Sequence, residues 1–226
     1  PKMKKAITAS IVAGVALAGS VGAEVGTTFD FANAYVFRGS TFNDEAVFQP
    51  GIEATGFGLP EAYGSATFGA WANYDIGDYG GTIASSEFSE IDWYASYSLP
   101  AFVEGLDLFV GYCDYTYPSG GGDSDKEANA GLGFEVAGFS VGATLYRGVG
   151  GAIAGDLLYE GSIGYGFDPV DGLSLGVGAD ARYLDSRDGE TGFNDYTVGG
   201  EISYAVTEVW SIGASVTYIG QGDDDV

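Results

Sequence analysis

The sequence predicts an all-β protein, an antiparallel up-and-down transmembrane β-barrel with 11 strands visible and 12 expected in the full-length protein. Three observations predict this fold. Apolar residues alternate with small polar ones along most of the chain, short and long connections alternate, and aromatic residues recur near strand ends. Period-two alternation is typical of strands with one face in apolar surroundings, and no helical periodicity of useful length interrupts it.

The alternating segments follow one another without a linker, so residues 24–226 read as one barrel domain. Connections after the even-numbered strands are mostly short, and those after the odd-numbered strands are mostly longer and more polar. Bacterial outer-membrane barrels have this meander, with short turns in the periplasm and long loops outside. The predicted strands are 25–39, 46–58, 64–76, 88–99, 105–117, 127–137, 139–148, 156–168, 172–185, 193–206 and 209–220.

The two faces of each strand decide between a membrane barrel and a soluble one. In segment 156–168, Tyr159 and Ile163 share the bulky apolar face, whereas Glu160 and Ser162 lie on the other. A soluble secreted barrel that binds an apolar ligand would turn long charged side chains to water. Here the polar face is small and sparsely charged, which favours the crowded interior of a membrane barrel.

Aromatic residues recur eight positions apart on the apolar faces. Eight residues cover roughly 26 Å of strand, or roughly 20 Å along the membrane normal after a tilt of about 40°. Tyr and Trp favour such interfaces because an apolar ring carries a polar tip. The predicted aromatic girdle consists of Phe29, Phe37, Tyr159, Phe167, Tyr196, Tyr204, Trp210 and Tyr218.

The first residues predict a signal peptide spanning 1–23. Lys4 and Lys5 precede an apolar stretch over 6–18, and Val21-Gly22-Ala23 provides a small-x-small cleavage site. A short membrane anchor is the alternative, although the stretch is short for a membrane span. Export by a cleaved signal peptide and a barrel fold together predict the outer membrane of a Gram-negative bacterium.

The strand count predicts a missing closing strand. Bacterial single-chain barrels have even strand numbers, and the eleventh predicted strand is followed by "GQGDDDV", which reads as the start of an external loop. We therefore expect a twelfth strand beyond the given sequence. Two alternatives stay open: a ten-stranded barrel with one irregular segment, or direct pairing of the first and last predicted strands.

Several stretches resemble the TorF family of outer-membrane porins, a family long of unknown function. The similarity covers most of 24–220, is carried by short motifs and weakens after about residue 150. It implies a secreted outer-membrane barrel with a pore role and no catalytic residues. The motifs are "NAYVFRG" (33–39), "FQPGIE" (48–53), "FGAWANYDIGD" (68–78), "SEIDWYASYS" (89–98) and "YTYPSGGGDSDKEANAGLGFEV" (115–136).

Composition excludes several kinds of function. The chain has 32 acidic and 8 basic residues, a net charge of -24 and no histidine. This charge argues against a nucleic-acid partner, and the absence of histidine excludes Ser-His-Asp catalysis and the usual histidine metal sites.

Glu90 and Asp92 are a candidate acid–base pair but read better as channel wall. The acidic loops "GGGDSDKE" and "DGETGFND" match neither an EF-hand spacing nor a repeated Gly-Asp nonapeptide, so they read as solvated loops, and diffuse divalent binding is the alternative. We predict no enzyme activity, cofactor or metal.

Alternation places charged residues inside the barrel and supplies the functional hypothesis. A carboxylate-rich interior favours cations, so the sequence predicts a small passive porin for ions or small polar solutes, mildly cation-preferring. A closed structural or surface-interaction barrel is the main alternative. The expected partners are membrane lipid and the transported solutes, and the oligomeric state is left open.

The two arginines of the predicted lumen should each pair with a carboxylate. Arg182 should pair with Asp180, and Arg38 with Asp92. The predicted lumen-lining residues are Asp30, Arg38, Glu53, Glu90, Asp92, Asp107, Glu135, Glu160, Asp180, Arg182 and Glu201.

Overall fold

The computed structural model describes residues 4–15, 22–57, 60–78, 85–189 and 191–222. Nearly all regular structure in these ranges is β-strand. A single 3₁₀ turn spans Glu61–Tyr63, and no helix in the described ranges has the length and apolar character needed to cross a membrane. The strands are β1 (Lys4–Val15), β2 (Glu24–Ala32), β3 (Tyr35–Phe37), β4 (Ser40–Asn43), β5 (Val47–Thr55), β6 (Ser65–Asp75), β7 (Glu87–Ser98), β8 (Leu106–Thr116), β9 (Asp125–Val136), β10 (Phe139–Gly150), β11 (Leu157–Val170), β12 (Leu173–Asp185), β13 (Thr191–Ala205) and β14 (Trp210–Gln221).

Twelve of these strands form one closed antiparallel barrel. The order around the wall is β1, β14, β13, β12, β11, β10, β9, β8, β7, β6, β5 and β2, whereas β3 and β4 form a separate two-stranded hairpin. The predicted all-β, up-and-down barrel is confirmed, and every predicted segment contains a barrel strand. The first predicted segment, 25–39, is wrong in its second half, because the chain leaves the wall after Ala32 and turns into the hairpin.

The barrel closes through β1. This strand pairs with β14 on one side and β2 on the other, with Ala13 opposite both Trp210 and Thr27. The first and last predicted strands therefore do not pair directly. β1 belongs to the segment predicted as a signal peptide, of which residues 1–3 and 16–21 lie outside the described residues. Cleavage after Ala23 stays a prediction.

Most bulky apolar side chains of the wall point away from the barrel axis. Ile163, Val177 and Trp93 are 51%, 59% and 57% exposed. Among the described residues the buried apolar side chains are few, and three of them, Ala32, Tyr35 and Val47, form a small cluster where the β3–β4 hairpin leaves the wall. The described residues form no apolar central core of the kind that a soluble ligand-binding barrel requires.

Glycines on the inner face let large rings lie flat against the wall. The ring of Tyr94 lies across Gly69 on the neighbouring strand, and the ring of Phe109 lies across Gly131. A Cβ atom at either glycine would collide with the ring. Small residues at these positions therefore allow aromatic side chains inside the barrel without widening it.

Candidate functional site: the barrel lumen

A tight turn at Arg38 and Gly39 joins the two strands of the β3–β4 hairpin and forms its tip. Phe37 pairs with Ser40 across it, and the turn residues have φ angles of 49° and 80°. Two consecutive positive φ angles are typical of the type I′ turn of two-residue hairpins. Arg38 has a side chain that disfavours this conformation by roughly 1 kcal/mol, so contacts elsewhere must hold it there.

The guanidinium of Arg38 supplies those contacts on the far side of the lumen. It donates two hydrogen bonds to Glu127 of β9, at 2.7 and 2.9 Å. It also lies 4.7 Å from the ring centroid of Phe37 and 4.4 Å from that of Tyr146 on β10. Burial alone lowers the pKa of Arg38, but the hydrogen bonds and charge of Glu127 outweigh burial and raise this pKa above its ordinary value. β10 is six places from β2 in the closed order of twelve strands, so it lies on the opposite side of the barrel. The hairpin, which follows β2, therefore crosses the lumen.

Polar contacts fix the base of the hairpin. Tyr35 donates its hydroxyl hydrogen to Glu90 at 2.9 Å, and burial, followed by the charge of Glu90, raises the pKa of Tyr35. Asn43 donates to Asp75 at 2.7 Å, and Asn73 donates to the same carboxylate oxygen at 3.0 Å. Asn43, Asn73 and Asp75 have no exposed surface. The hairpin base is therefore packed into the wall of β6 and β7 and is not a loose external loop.

The tip of the hairpin contacts β13 and β14. Asn194 donates to the backbone oxygen of Arg38 at 2.9 Å, and Gln221 donates to that of Gly39 at 3.4 Å. A Cβ atom on Gly39 would come within 2.9 Å of the Cβ of Asp195. The tip is thus held at the wall on one side while Arg38 reaches the wall on the other.

A second charged cluster surrounds Arg182 of β12. Its guanidinium forms ion pairs with Glu160, Asp180 and Asp195 at 2.6, 2.6 and 2.8 Å. The side chain of Arg182 is 15% exposed and that of Asp195 is fully buried. One cation therefore holds three carboxylates together across β11, β12 and β13.

Two cavities in the described part of the lumen have different linings. The inner cavity, toward the short-turn end, has a volume of about 740 Å³ and is lined mainly by glycine, serine and threonine with Glu135, Asp180 and Glu201. The outer cavity, between the hairpin and the wall of β7 to β12, has a volume of about 260 Å³ and is lined by larger aromatic and charged residues such as Tyr115 and Glu127.

The predicted lumen-lining residues occupy the following places. Arg182 pairs with Asp180 as the sequence indicates, but the expected pairing of Arg38 with Asp92 is wrong, because Arg38 meets Glu127. Glu53 accepts a hydrogen bond from Tyr94 at 3.2 Å. Asp30, Glu53, Glu90, Asp92, Asp107, Glu135, Glu160, Asp180, Arg182 and Glu201 all lie on strand faces opposite to the exposed apolar residues, and Arg38 lies on the hairpin.

One residue of the predicted aromatic girdle is misplaced. Phe37 lies inside the barrel, where it packs against the buried cluster and its ring centroid is 6.1 Å from that of Tyr115. Tyr196 is half-buried and stacks on Phe193. The outward, exposed members are Phe29, Tyr159, Phe167, Tyr204, Trp210 and Tyr218.

Two carboxylates that organise the lumen, Glu127 and Asp195, are absent from the predicted lumen-lining residues. Glu127 precedes the predicted inward Glu135 by eight residues, and Asp195 precedes Glu201 by six, so alternation places each on the inner face. Both lie near the start of a predicted strand, where it is easiest to overlook which face of the strand a residue lies on. The inward position of the hairpin aromatics could not be found in this way. Tyr35 and Phe37 continue the alternation of β2, so the pattern places them on the outward, apolar face.

The lumen also contains the single cysteine of the chain. Cys113 is a free, half-buried thiol on the inner face of β8, opposite Tyr94 and Glu127. Over the part of the chain that the structure describes, no group of three or more cysteine, aspartate or glutamate residues is arranged to hold a metal ion.

Comparisons with known proteins give no family. No family model matches the chain, and no curated protein matches it. Among solved structures, it is similar to OmpF of Salmonella typhi in complex with daunomycin (9% identity, 97% of each chain covered, TM-score 0.36). It is also similar to OccK8 (OprE) of Pseudomonas aeruginosa (11% identity, 96% of this chain and 98% of that chain covered, TM-score 0.31). A BenF-like porin of Pseudomonas fluorescens Pf-5 is a third (8% identity, 96% and 98% covered, TM-score 0.33). TM-scores this low carry no argument about fold or function.

Proposed function

We propose that this protein is an outer-membrane channel that passes small ions and small polar solutes with a mild preference for cations. The observation that carries the proposal is the arrangement of the wall. Bulky apolar side chains face outward around a closed barrel, while carboxylates and small polar residues face an interior that contains a cavity of about 740 Å³.

The outward face supports a membrane location. Phe68, Trp93, Ile163 and Val177 are each more than half exposed, and they lie on different strands of the wall. Soluble monomers rarely expose contiguous apolar patches larger than a few hundred Å². A closed barrel also leaves no strand edge unpaired, which hydrocarbon surroundings require. This surface and the predicted signal peptide support the proposed placement in the outer membrane of a Gram-negative bacterium.

The charge of the inner cavity supports cation preference. Glu135 and Glu201 line it and have no ion pair within the described residues, whereas Asp180 is paired with Arg182. Carboxylates that line a pore attract cations and repel anions at short range. The inward hairpin supports a narrow pathway, because it crosses the outer half of the lumen and restricts passage to small solutes.

Planar-bilayer recording tests the proposal. Folded protein should produce small current steps, and a KCl gradient should give a reversal potential of the sign expected for cation selectivity. Folding is checked beforehand by heat-modifiable migration in detergent. Well-folded protein without current steps would remove the channel function, and a reversal potential of anion-selective sign would remove the cation preference.

A closed barrel without transport is the second candidate, and the hairpin favours it. The contacts of Arg38, Tyr35 and Asn43 hold the hairpin across the lumen from several directions. If the lumen is closed, the wild-type protein is silent and a variant without the hairpin conducts. If the channel is open, both conduct and differ only in conductance.

Export and family membership are part of the same proposal. Protein purified from outer membranes should begin at Glu24, as intact mass and amino-terminal sequencing can show. Removal of 1–23 would take β1 out of the barrel, so β2 and β14 would have to pair with each other or with another strand. Membership of the TorF porin family rests on the short motifs between residues 33 and 136. We propose no enzymatic role for the lumen carboxylates.

A further inference from the structure

The outer cavity has a lining that suits a positively charged ligand. It lies between the hairpin tip and the wall of β7 to β12 and combines aromatic rings with four carboxylates, namely Glu90, Asp125, Glu127 and Asp156. Among the described residues that line it, Arg38 is the only basic one. Aromatic faces and carboxylates both attract cations, so the two kinds of lining residue favour the same class of ligand.

Three of these carboxylates have no cation partner within the described residues. Glu127 is paired with Arg38. Glu90, which is 4% exposed, accepts a hydrogen bond from the hydroxyl of Tyr35 at 2.9 Å and lies beside the carboxyl group of Asp92. A buried carboxylate without a neighbouring cation is unfavourable.

The other two carboxylates have similar partners. Asp125 accepts a hydrogen bond from the hydroxyl of Tyr117 at 3.0 Å. Asp156 accepts from the backbone N–H of Arg187 at 2.7 Å, while the guanidinium of Arg187 is turned toward Asp188. The cavity therefore keeps a surplus of negative charge after its internal contacts are counted.

Arg38 shows how this cavity binds a cation. Its guanidinium lies between the rings of Phe37 and Tyr146, with centroids at 4.7 and 4.4 Å, and forms two hydrogen bonds with Glu127. This combination of ring faces and a carboxylate is the one by which proteins recognise organic ammonium and guanidinium groups. Further ring and carboxylate groups, including Tyr115, Tyr117 and Asp156, line the remaining space.

We propose that the outer cavity binds a small organic cation, with an ammonium or guanidinium group on a compact apolar body, before that cation passes to the inner half of the lumen. The inference rests on the proposed channel function for its second half, the passage inward. The volume of about 260 Å³ is below the roughly 300 Å³ at which pockets for drug-sized ligands begin, so the ligand is small.

Calorimetric titration of the folded, detergent-solubilised protein with 2-phenylethylamine tests the site. Phenylacetate, which has nearly the same shape and the opposite charge, and the neutral 2-phenylethanol are titrated in parallel. We expect saturable binding of the amine, at least about tenfold weaker binding of the other two compounds, and weakening of amine binding at high salt.

Two variants remove charge from the cavity and keep hydrogen-bond acceptors. Glu90→Gln and Asp156→Asn should each weaken amine binding by about three- to tenfold. Asp171→Asn is the matched control, because it removes the same charge from an exposed turn between β11 and β12 at the other end of the barrel. Heat-modifiable migration confirms that each variant is folded.

The outcomes separate this inference from the proposed function. No saturable binding of the amine, or equal binding of phenylacetate, would overturn the cation site, as would unchanged affinity in both folded cavity variants. If the protein conducts cations but binds no amine, the inference fails and the channel stands. If it binds the amine as expected but carries no current, the site stands and the channel proposal fails.

Discussion

The two halves of the lumen share one wall but differ in almost everything that fills it. In the outer half, the β3–β4 hairpin brings Tyr35, Phe37 and Arg38 into the interior, where they pack against rings and carboxylates of the wall. In the inner half, glycine, serine and threonine leave a cavity of about 740 Å³. The same barrel can therefore be blocked at one level and open at another, because side-chain size and one insertion decide the bore.

Charge compensation follows the same division. Arg38 neutralises Glu127 in the outer half, and Arg182 holds three carboxylates where the two halves meet. Glu135 and Glu201 of the inner half have no such partner within the described residues. In the outer half the pair of Arg38 and Glu127 thus holds the hairpin in place, whereas under the proposed function Glu135 and Glu201 of the inner half meet the passing ions.

Removal of the hairpin should have the largest effect on this contrast. Replacement of residues 34–44 by a short Gly-Ser turn should raise single-channel conductance several-fold, because the obstruction is lost while β2 and β5 remain paired. Planar-bilayer recording measures it. Deletion of Gly120–Gly122, exposed residues of the β8–β9 loop, is the control and should leave conductance unchanged. Equal conductance with and without the hairpin would show that it is not the constriction.

Arg182→Met should cause the largest loss of stability. The substitution leaves Glu160, Asp180 and the fully buried Asp195 without their shared cation, and breaking a buried ion pair costs about 3–5 kcal/mol. Denaturant unfolding in detergent measures the free energy of unfolding. Arg187→Gln, at a side chain that is 63% exposed, should change it by less than about 0.5 kcal/mol. Similar small effects for both variants would contradict a stabilising role for the cluster.

Loss of the Arg38–Glu127 pair should have a smaller effect. Arg38→Gln should lower the free energy of unfolding by about 2 kcal/mol, the range for a hydrogen bond to a charged group, and should raise conductance less than removal of the hairpin does. A double-mutant cycle with Glu127→Gln isolates the interaction. We expect a coupling energy of about 1–3 kcal/mol, and a coupling near zero would mean that the hairpin is held by its other contacts.

Neutralisation of the inner half should have the smallest effect. The double variant Glu135→Gln/Glu201→Gln should roughly halve the preference for cations over anions, since it removes unpaired carboxylates from the inner cavity. The reversal potential under a KCl gradient measures the preference. Asp171→Asn is again the control at an exposed turn. An unchanged reversal potential in the double variant would move the origin of selectivity to the outer half.

The strands of the barrel wall could be predicted from the sequence, whereas the β3–β4 hairpin that crosses the lumen could not. Alternation finds strands such as β11 and β12 because each lies between an apolar and a polar environment along its whole length. It also finds the pairing of Asp180 with Arg182, which are two residues apart on one strand. Arg38 and Glu127 are 89 residues apart, so their meeting depends on barrel size and on a turn at Arg-Gly, which lacks the Asn-Gly or Asp-Gly signature of hairpin turns. Phe37 was misplaced for the same reason.

The hairpin is an insert between two neighbouring strands, so the ladder of backbone hydrogen bonds in the wall does not run through it. β2 and β5 pair from Glu24 with Thr55 up to Ala32 with Val47, and only then does the chain leave the wall. Such an arrangement makes the bore modular. A hairpin of different length or charge between the same two strands would leave the barrel wall unchanged and alter the permeability of the proposed channel. Natural variation and the engineering of nanopore sensors could both act on this one segment.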